Sequence, residues 1–217
     1  MDILKLYHGS ERIIESPLPN KGNVNNDFGQ GLYCTEHEDL AKEWACKSGK
    51  NGFVNSYELD LEGLKILDLT KHTIFEWLAL LLKNRNVRLT FPVAKQSRDW
   101  LIENYLIDTS EYDVIKGYRA DDSYFSFVRD FTNNIISIDT LSLAMKLGEL
   151  GEQYLIKSDK AFCNLNFVEA KAVEKERYYE KVLNRDRAAR EKYYQLAANQ
   201  SEREKRILDI IRESKKS

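Results

Sequence analysis

An α+β fold is what this sequence predicts, and three observations carry that prediction. Short stretches of alternating or apolar residues, "DILKLYHGS" at 2–10, "FVNSYELDL" at 53–61 and "EQYLIKS" at 152–158, read as strands. Segments with helical periodicity and capping signals lie between them. From about Glu169 the composition turns to charged helix formers without Gly or Pro. The expected organisation is therefore a core over residues 1–168 and a charged helical extension over 169–217.

The elements follow in order. "DILKLYHGS" is a strand running into a Gly-Ser turn, and "ESPLPNKGNVNND", with two of the 3 prolines, is an irregular loop. "TEHEDLAKEWACKSG" is a helix: Thr35 and Glu38 have capping-box spacing, Leu40, Ala41 and Trp44 share a face, and Gly49 closes it. "FVNSYELDL" and "LKILDL" are strands with Gly63 as the turn between them. "TIFEWLALLLKNRN" is apolar nearly all round and reads as a buried helix, whereas "PVAKQSRDWLIENYL" is amphipathic. "YDVIKGYRADD" is a strand and turn, followed by two short helices, the second capped by Asp139 or Thr140. "EQYLIKS" reads as the last clear core strand, and "KAFCNLNFVEAKAV" as extended or mixed. The extension is one long helix, or two broken near Asn199-Gln200-Ser201, with a thin stripe of Val182, Ala189, Tyr193, Leu196, Ile207 and Ile211. That stripe suits docking on the domain or on a partner.

Composition narrows the function classes. Lys and Arg total 33 against 35 Asp and Glu, so the 217-residue chain lacks the overall basic footprint of a nucleic-acid binder. Its 3 cysteines, Cys34, Cys46 and Cys163, have neither disulfide nor metal-ligand spacing and read as reduced thiols; no metal is expected. "MDILKLYHGS" is too polar for a signal peptide, and "IFEWLALLL" is too short and too charged to span a bilayer. The expectation is a cytoplasmic protein without membrane contact.

Three places carry candidate chemistry. His8 ends a strand, where it either packs against a neighbour or hydrogen-bonds a ligand. "FGQGLYCT" has Gly29 and Gly31 but no third glycine and no Gly-Lys-Ser/Thr, so both standard nucleotide loops are excluded. Its glycines mark a close backbone approach, and Tyr33 sits where a ring can stack on a planar ligand. In "EQYLIKS" only one of Glu152 and Gln153 faces a given cleft, because strand side chains alternate, and on periodicity alone the segment reads as a polar strand start. Asp121 and Asp122 in "RADDSYF" are either an N-cap pair or site acids.

In this order "LYHGS", "FGQGLYCTEHEDLAKEWA" and "EQYLIKS" resemble the three active-site strands of the ADP-ribosyltransferase superfamily, in its His-Tyr-Glu clade. With "VIKGYRADDSYF", the chain also looks like a bacterial domain family of unknown function, over about residues 3 to 165. The resemblance implies a split-sheet core and NAD as substrate rather than as a resident cofactor. It implies that His8 contacts the adenosine-side ribose, the Gly9 backbone holds the nicotinamide amide, and Tyr33 stacks on the nicotinamide. Ser10, Phe28, Gly29, Gly31, Asp121 and Asp122 complete the implied binding set. Gln153 falls where the clade has its catalytic glutamate, and with His8 and Tyr33 it forms the implied catalytic set. A glutamine keeps the hydrogen bond to a ribose hydroxyl but not the charge, a difference of roughly 4 kcal/mol at 4 Å and an effective dielectric of 20. Either glutamine suffices, or Glu152, Asp121 or Asp122 supplies the charge, or the chain is inactive. The expected function is a toxin-like transferase that moves ADP-ribose to a macromolecular acceptor and is restrained by an antitoxin partner. The alternatives are a silent NAD- or ADP-ribose-binding module and a NAD+ glycohydrolase.

Overall fold

The computed structural model describes residues 2–120, 122–145 and 151–216, the side chains of 122–124 excepted. In chain order the elements are β1 (Ile3–Ser10), β2 (Leu32–Cys34), α1 (Glu38–Cys46), β3 (Gly52–Asp60), β4 (Ile66–Asp68), α2 (Ile74–Asn84), α3 (Pro92–Tyr105) and β5 (Val114–Tyr118). Then come α4 (Asp122–Thr132), α5 (Ile138–Ala144), β6 (Glu152–Ile156), α6 (Asp159–Cys163), β7 (Leu165–Val173), α7 (Lys175–Asn199) and α8 (Ile207–Ser214). The fold is mixed α+β, its strands divided between two sheets of order β1-β3-β7 and β2-β6-β5-β4. The chain separates into two compact units, Met1–Lys71 with Asp108–Arg119 and Leu150–Arg185, and His72–Ile107 with Ala120–Glu149 and Asp186–Ser217.

Both sheets belong to the first unit. Leu6 of β1, Tyr57 and Leu59 of β3 and Leu165 of β7 pack with Leu32, Cys34, Val114, Tyr154 and Ile156 of the second sheet. Each such fully buried side chain contributes roughly 1.5–3 kcal/mol. Val54 and Val173 point the other way, onto Ala41, Ala45 and Cys46 of α1. Strand β3 is thus covered on both faces, which is why Val54, Asn55, Ser56 and Tyr57 are all buried despite their alternation in polarity. Among the free cysteines, Cys34 and Cys46 are buried and Cys163 is exposed.

Several local expectations change. Thr35 does not cap α1, which begins three residues later after His37. The backbone of Thr35 is instead paired with Tyr7, and its hydroxyl accepts from the His37 N–H at 3.2 Å. Gly63 does sit in a turn, with φ +70°, but β3 and β4 join different sheets, and β4 runs parallel to β5. Ser137, rather than Asp139 or Thr140, caps α5 by accepting from Thr140 N–H at 3.0 Å. Strand β6 is not the last: β7 follows it, and the helical extension starts at Lys175, beyond the compositional change.

The second unit is helical. A Thr73–Glu76 capping box starts α2, whose residues Trp77 to Leu82 are all buried. Tyr193 of α7 stacks on Phe127 at 3.9 Å between centroids and donates to Asp130 Oδ2 at 2.5 Å. α7 ends at Asn199, at the expected break, and α8 buries Ile207 and Ile211. Ala189, Tyr193, Ile207 and Ile211 of the stripe are therefore buried within the chain, while Val182 and Leu196 are half-buried.

Candidate functional site

The site starts where the two sheets touch. Tyr7 and Thr35 exchange two backbone hydrogen bonds, N–H to O, at 2.8 and 2.9 Å, and bridge β1 to β2. Along a strand, the backbone groups of alternate residues point to the same edge. The N–H and C=O of Gly9, two residues past Tyr7, and of Tyr33, two before Thr35, therefore face the same gap. Beyond the bridge the edges part around a cavity of about 660 Å³, lined by His8, Ser10, Gly31, Leu32 and Tyr33 with residues of the 12–18 loop. That volume lies in the range of about 300–1,000 Å³ usual for small-molecule sites. Arg12 and Lys21 bring cations to the lining, and Glu15 an anion.

Close packing fixes both edges. A Cβ on Gly9 would lie 2.0 Å from Ala41 O, so only glycine lets α1 pack this closely on β1. Gly31 has φ +151°, and a Cβ there would meet Ile156 O at 2.2 Å. His8 Nδ1 lies 2.6 Å from Tyr33 O. A carbonyl only accepts, so Nδ1 carries the proton and Nε2 of the neutral ring is an acceptor. Burial lowers the His8 pKa and favours that neutral form, with the bond to Tyr33 O opposing.

Tyr33 orders the loop before it. Its hydroxyl donates to Gly29 O at 2.8 Å and accepts from Phe28 N–H at 2.9 Å, and its ring faces Phe28 with centroids 6.4 Å apart. Phe28 is 3 % exposed and does not line the cavity. Its ring fills the space above Gly117, where a Cβ would be 2.8 Å from Cζ. Gly117 pairs with Gln153.

Strand phase places Gln153 with Tyr33, since Tyr33 pairs with Leu155 and alternate residues share a face. Gln153 is buried, however, and its Nε2 donates to Asp27 Oδ2 at 2.8 Å; the cavity stops short of it. Glu152 projects from the other face and pairs with Lys116 at 2.6 Å. Asp121 and the side chain of Asp122 lie outside the described residues. Among the described residues no cluster of His, Cys, Asp and Glu is arranged to hold a metal ion, and no helix is long and apolar enough to cross a membrane.

A protein-family model described as "Protein of unknown function (DUF3990)" matches residues 4–167. The chain belongs to that family. No curated protein and no solved structure matches it. The DUF3990 match spans His8, the Asp27–Tyr33 segment and Gln153, and ends within β7, before α7 and α8.

Two site residues of this DUF3990 chain escape sequence reasoning. Asn55, fully buried, accepts from Ile14 N–H at 2.8 Å and donates to His8 O, Ser10 Oγ and Arg12 O at 3.3, 3.1 and 3.3 Å. It ties the end of β1 to the loop that walls the cavity. An amide at a core-facing strand position was its signal, because buried polar groups demand partners. Asp27 is the other; nothing local in the sequence points to its contact with Gln153.

Proposed function

We propose that this chain is an NAD+-dependent ADP-ribosyltransferase, cleaving the nicotinamide–ribose bond and passing ADP-ribose to a macromolecular acceptor. The supporting observation is the wedge between β1 and β2, where His8, Ser10 and Tyr33 line one cavity, Gly9 lies in the strand between the first two, and Gln153 sits on the neighbouring strand. In this reading the paired N–H and C=O of Gly9 take up the nicotinamide carboxamide, and the Tyr33 ring stacks on the pyridinium. Neutral His8 accepts a ribose hydroxyl at Nε2. Arg12 and Lys21 offset the charge of the pyrophosphate. The nicotinamide ribose extends past the end of the cavity, where Gln153 accepts a hydrogen bond from its 2′-hydroxyl and orients it as positive charge develops on the sugar. The acceptor and an antitoxin that restrains a toxic activity are part of the same proposal.

Calorimetry with NAD+ and a nicotinamide-release assay test it together. Binding and release in the wild type, both lost in Tyr33→Ala, are expected; a wild type that does not bind NAD+ sinks the reading. A second reading, a binding module without turnover, is favoured by the glutamine at 153 and predicts binding without release. Labelled NAD+ in bacterial extract separates transfer from hydrolysis, since a glycohydrolase leaves no label on macromolecules.

A further inference from the structure

Gln153 is 4 % exposed, as is Asp27, and one hydrogen bond joins them, from Nε2 to Oδ2 at 2.8 Å. A carboxylate accepts and does not donate, so the amide nitrogen is the atom that meets it. This fixes the orientation of the whole carboxamide. Oε1 then has no partner among the described residues, yet it is not one of the sealed polar atoms that lack one, so it keeps access to solvent. Asp27 is itself held in place, since the next two residues are hooked to the Tyr33 hydroxyl through Phe28 N–H and Gly29 O.

We propose that Asp27 is a positioning residue of the site: it orients the Gln153 carboxamide so that Oε1, and not Nε2, is offered to a ligand hydroxyl, and it supplies the negative charge that glutamine lacks one hydrogen bond away. The inference deepens the ADP-ribosyltransferase reading and rests on it for the identity of the ligand. Its distinctive consequence concerns Gln153→Glu. Placing the transferase clade's glutamate beside Asp27 sets two carboxyl groups within hydrogen-bond distance, which hold this geometry only while they share one proton and repel when both ionise. The substitution that restores that clade's pattern therefore lowers activity as the shared proton is lost toward neutral pH, and moving the amide to the other partner restores it.

The test compares nicotinamide release and NAD+ binding for the wild type, Asp27→Asn, Gln153→Glu and the exchanged pair Asp27→Asn/Gln153→Glu across pH. Gln153→Glu is expected to lose about tenfold or more near neutral pH, the size of one unit of pKa shift, and to recover part of that loss as the pH is lowered. The exchanged pair returns most of the loss at neutral pH. Gln153→Glu more active than the wild type, or an exchanged pair no better than Gln153→Glu, overturns the proposal. A ligand-free measurement guards against variants that fail to fold. In Asp27→Asn the Gln153 side-chain amide resonances shift from their wild-type positions; resonances that ignore the substitution overturn the proposal. A wild type that releases no nicotinamide while its Gln153 amide still follows Asp27 overturns the transferase reading and upholds the pair.

Discussion

The two faces of β6 in the second sheet carry adjacent residues with opposite fates. On one face Glu152 meets Lys116 at 2.6 Å, and Lys116 also lies 5.4 Å from the centroid of the Tyr154 ring. On the other, Gln153 is buried with its amide nitrogen against the Asp27 carboxylate. The first arrangement is an ion pair near solvent, of the sort that contributes little beyond solubility. The second is a buried polar contact between residues 126 positions apart in the chain, costly to build unless each atom has a role. Under the proposed reading the chemistry belongs to the Gln153 face, while the opposite face carries the Glu152–Lys116 pair at its end and packs Tyr154 and Ile156 into the core.

The largest expected effect falls on the Gln153 face. Gln153→Ala should lower nicotinamide release by about 10²-fold, comparable to removing one preorganised hydrogen-bonding group from an active site. Thermal melting checks that the variant is folded. Full activity in folded Gln153→Ala would erase the distinction between the faces.

Next comes the scaffold under the cavity, where β3 repeats the contrast. Asn55 has four hydrogen-bonding partners, whereas its neighbour Ser56 has a buried hydroxyl with none among the described residues. Asn55→Ala leaves the Ile14 N–H and the Ser10 end of β1 without their partner and should cost about 3 kcal/mol in denaturant unfolding. Ser56→Ala should cost nothing or stabilise slightly, because it removes a polar atom that gains no hydrogen bond.

How much of this was legible depended on the range of the interaction involved. The phase separating Gln153 from Glu152 is a property of any strand and could be read from four letters. The break at Asn199 and the burial of Tyr193, Ile207 and Ile211 followed from periodicity and composition. Thr35 misled because its capping spacing is local, whereas its pairing with Tyr7 is tertiary and claims the backbone first. The parallel partner of β4 and the Asp27 contact were illegible for the same reason: neither leaves a periodic or compositional trace near the residues that make it.

Tyr33 sharpens the comparison at intermediate size. Tyr33→Phe keeps the ring but frees Phe28 N–H and Gly29 O, so it should cost about 1–2 kcal/mol of stability and loosen the loop over Gln153. Tyr33→Ala also loses the stacking surface, worth about 1–3 kcal/mol against a planar ring. A larger fall in NAD+ affinity for alanine than for phenylalanine is the expected order, and equal losses would deny the ring a role.

A smaller effect is expected from pH. The folded state lowers the pKa of His8, so the unfolded chain takes up the proton first as pH falls below 6.5. Stability contributed by neutral His8 is complete above that value and is lost as pH falls from it toward the lower folded pKa. Affinity for NAD+ should weaken at lower pH still, as the folded-state His8 takes up its proton, because protonated Nε2 donates rather than accepts. His8→Ala should remove this part of the pH dependence, and an unchanged profile in that variant would assign it to other groups.

The smallest effect returns to β6. Glu152→Gln removes the charge facing Lys116 but leaves an amide that still accepts its hydrogen bond, and both side chains retain solvent contact. Stability should fall by under about 1 kcal/mol and lose its salt dependence at this pair. Nicotinamide release should stay at the wild-type level, because Glu152 lies on the face of β6 opposite Tyr33. The comparison is decisive because Glu152→Gln and Gln153→Ala alter neighbouring residues of one five-residue strand. General damage to β6 would lower activity in both. A loss confined to Gln153→Ala therefore locates the chemistry by face, whereas an equal loss in Glu152→Gln would return the catalytic carboxylate to Glu152.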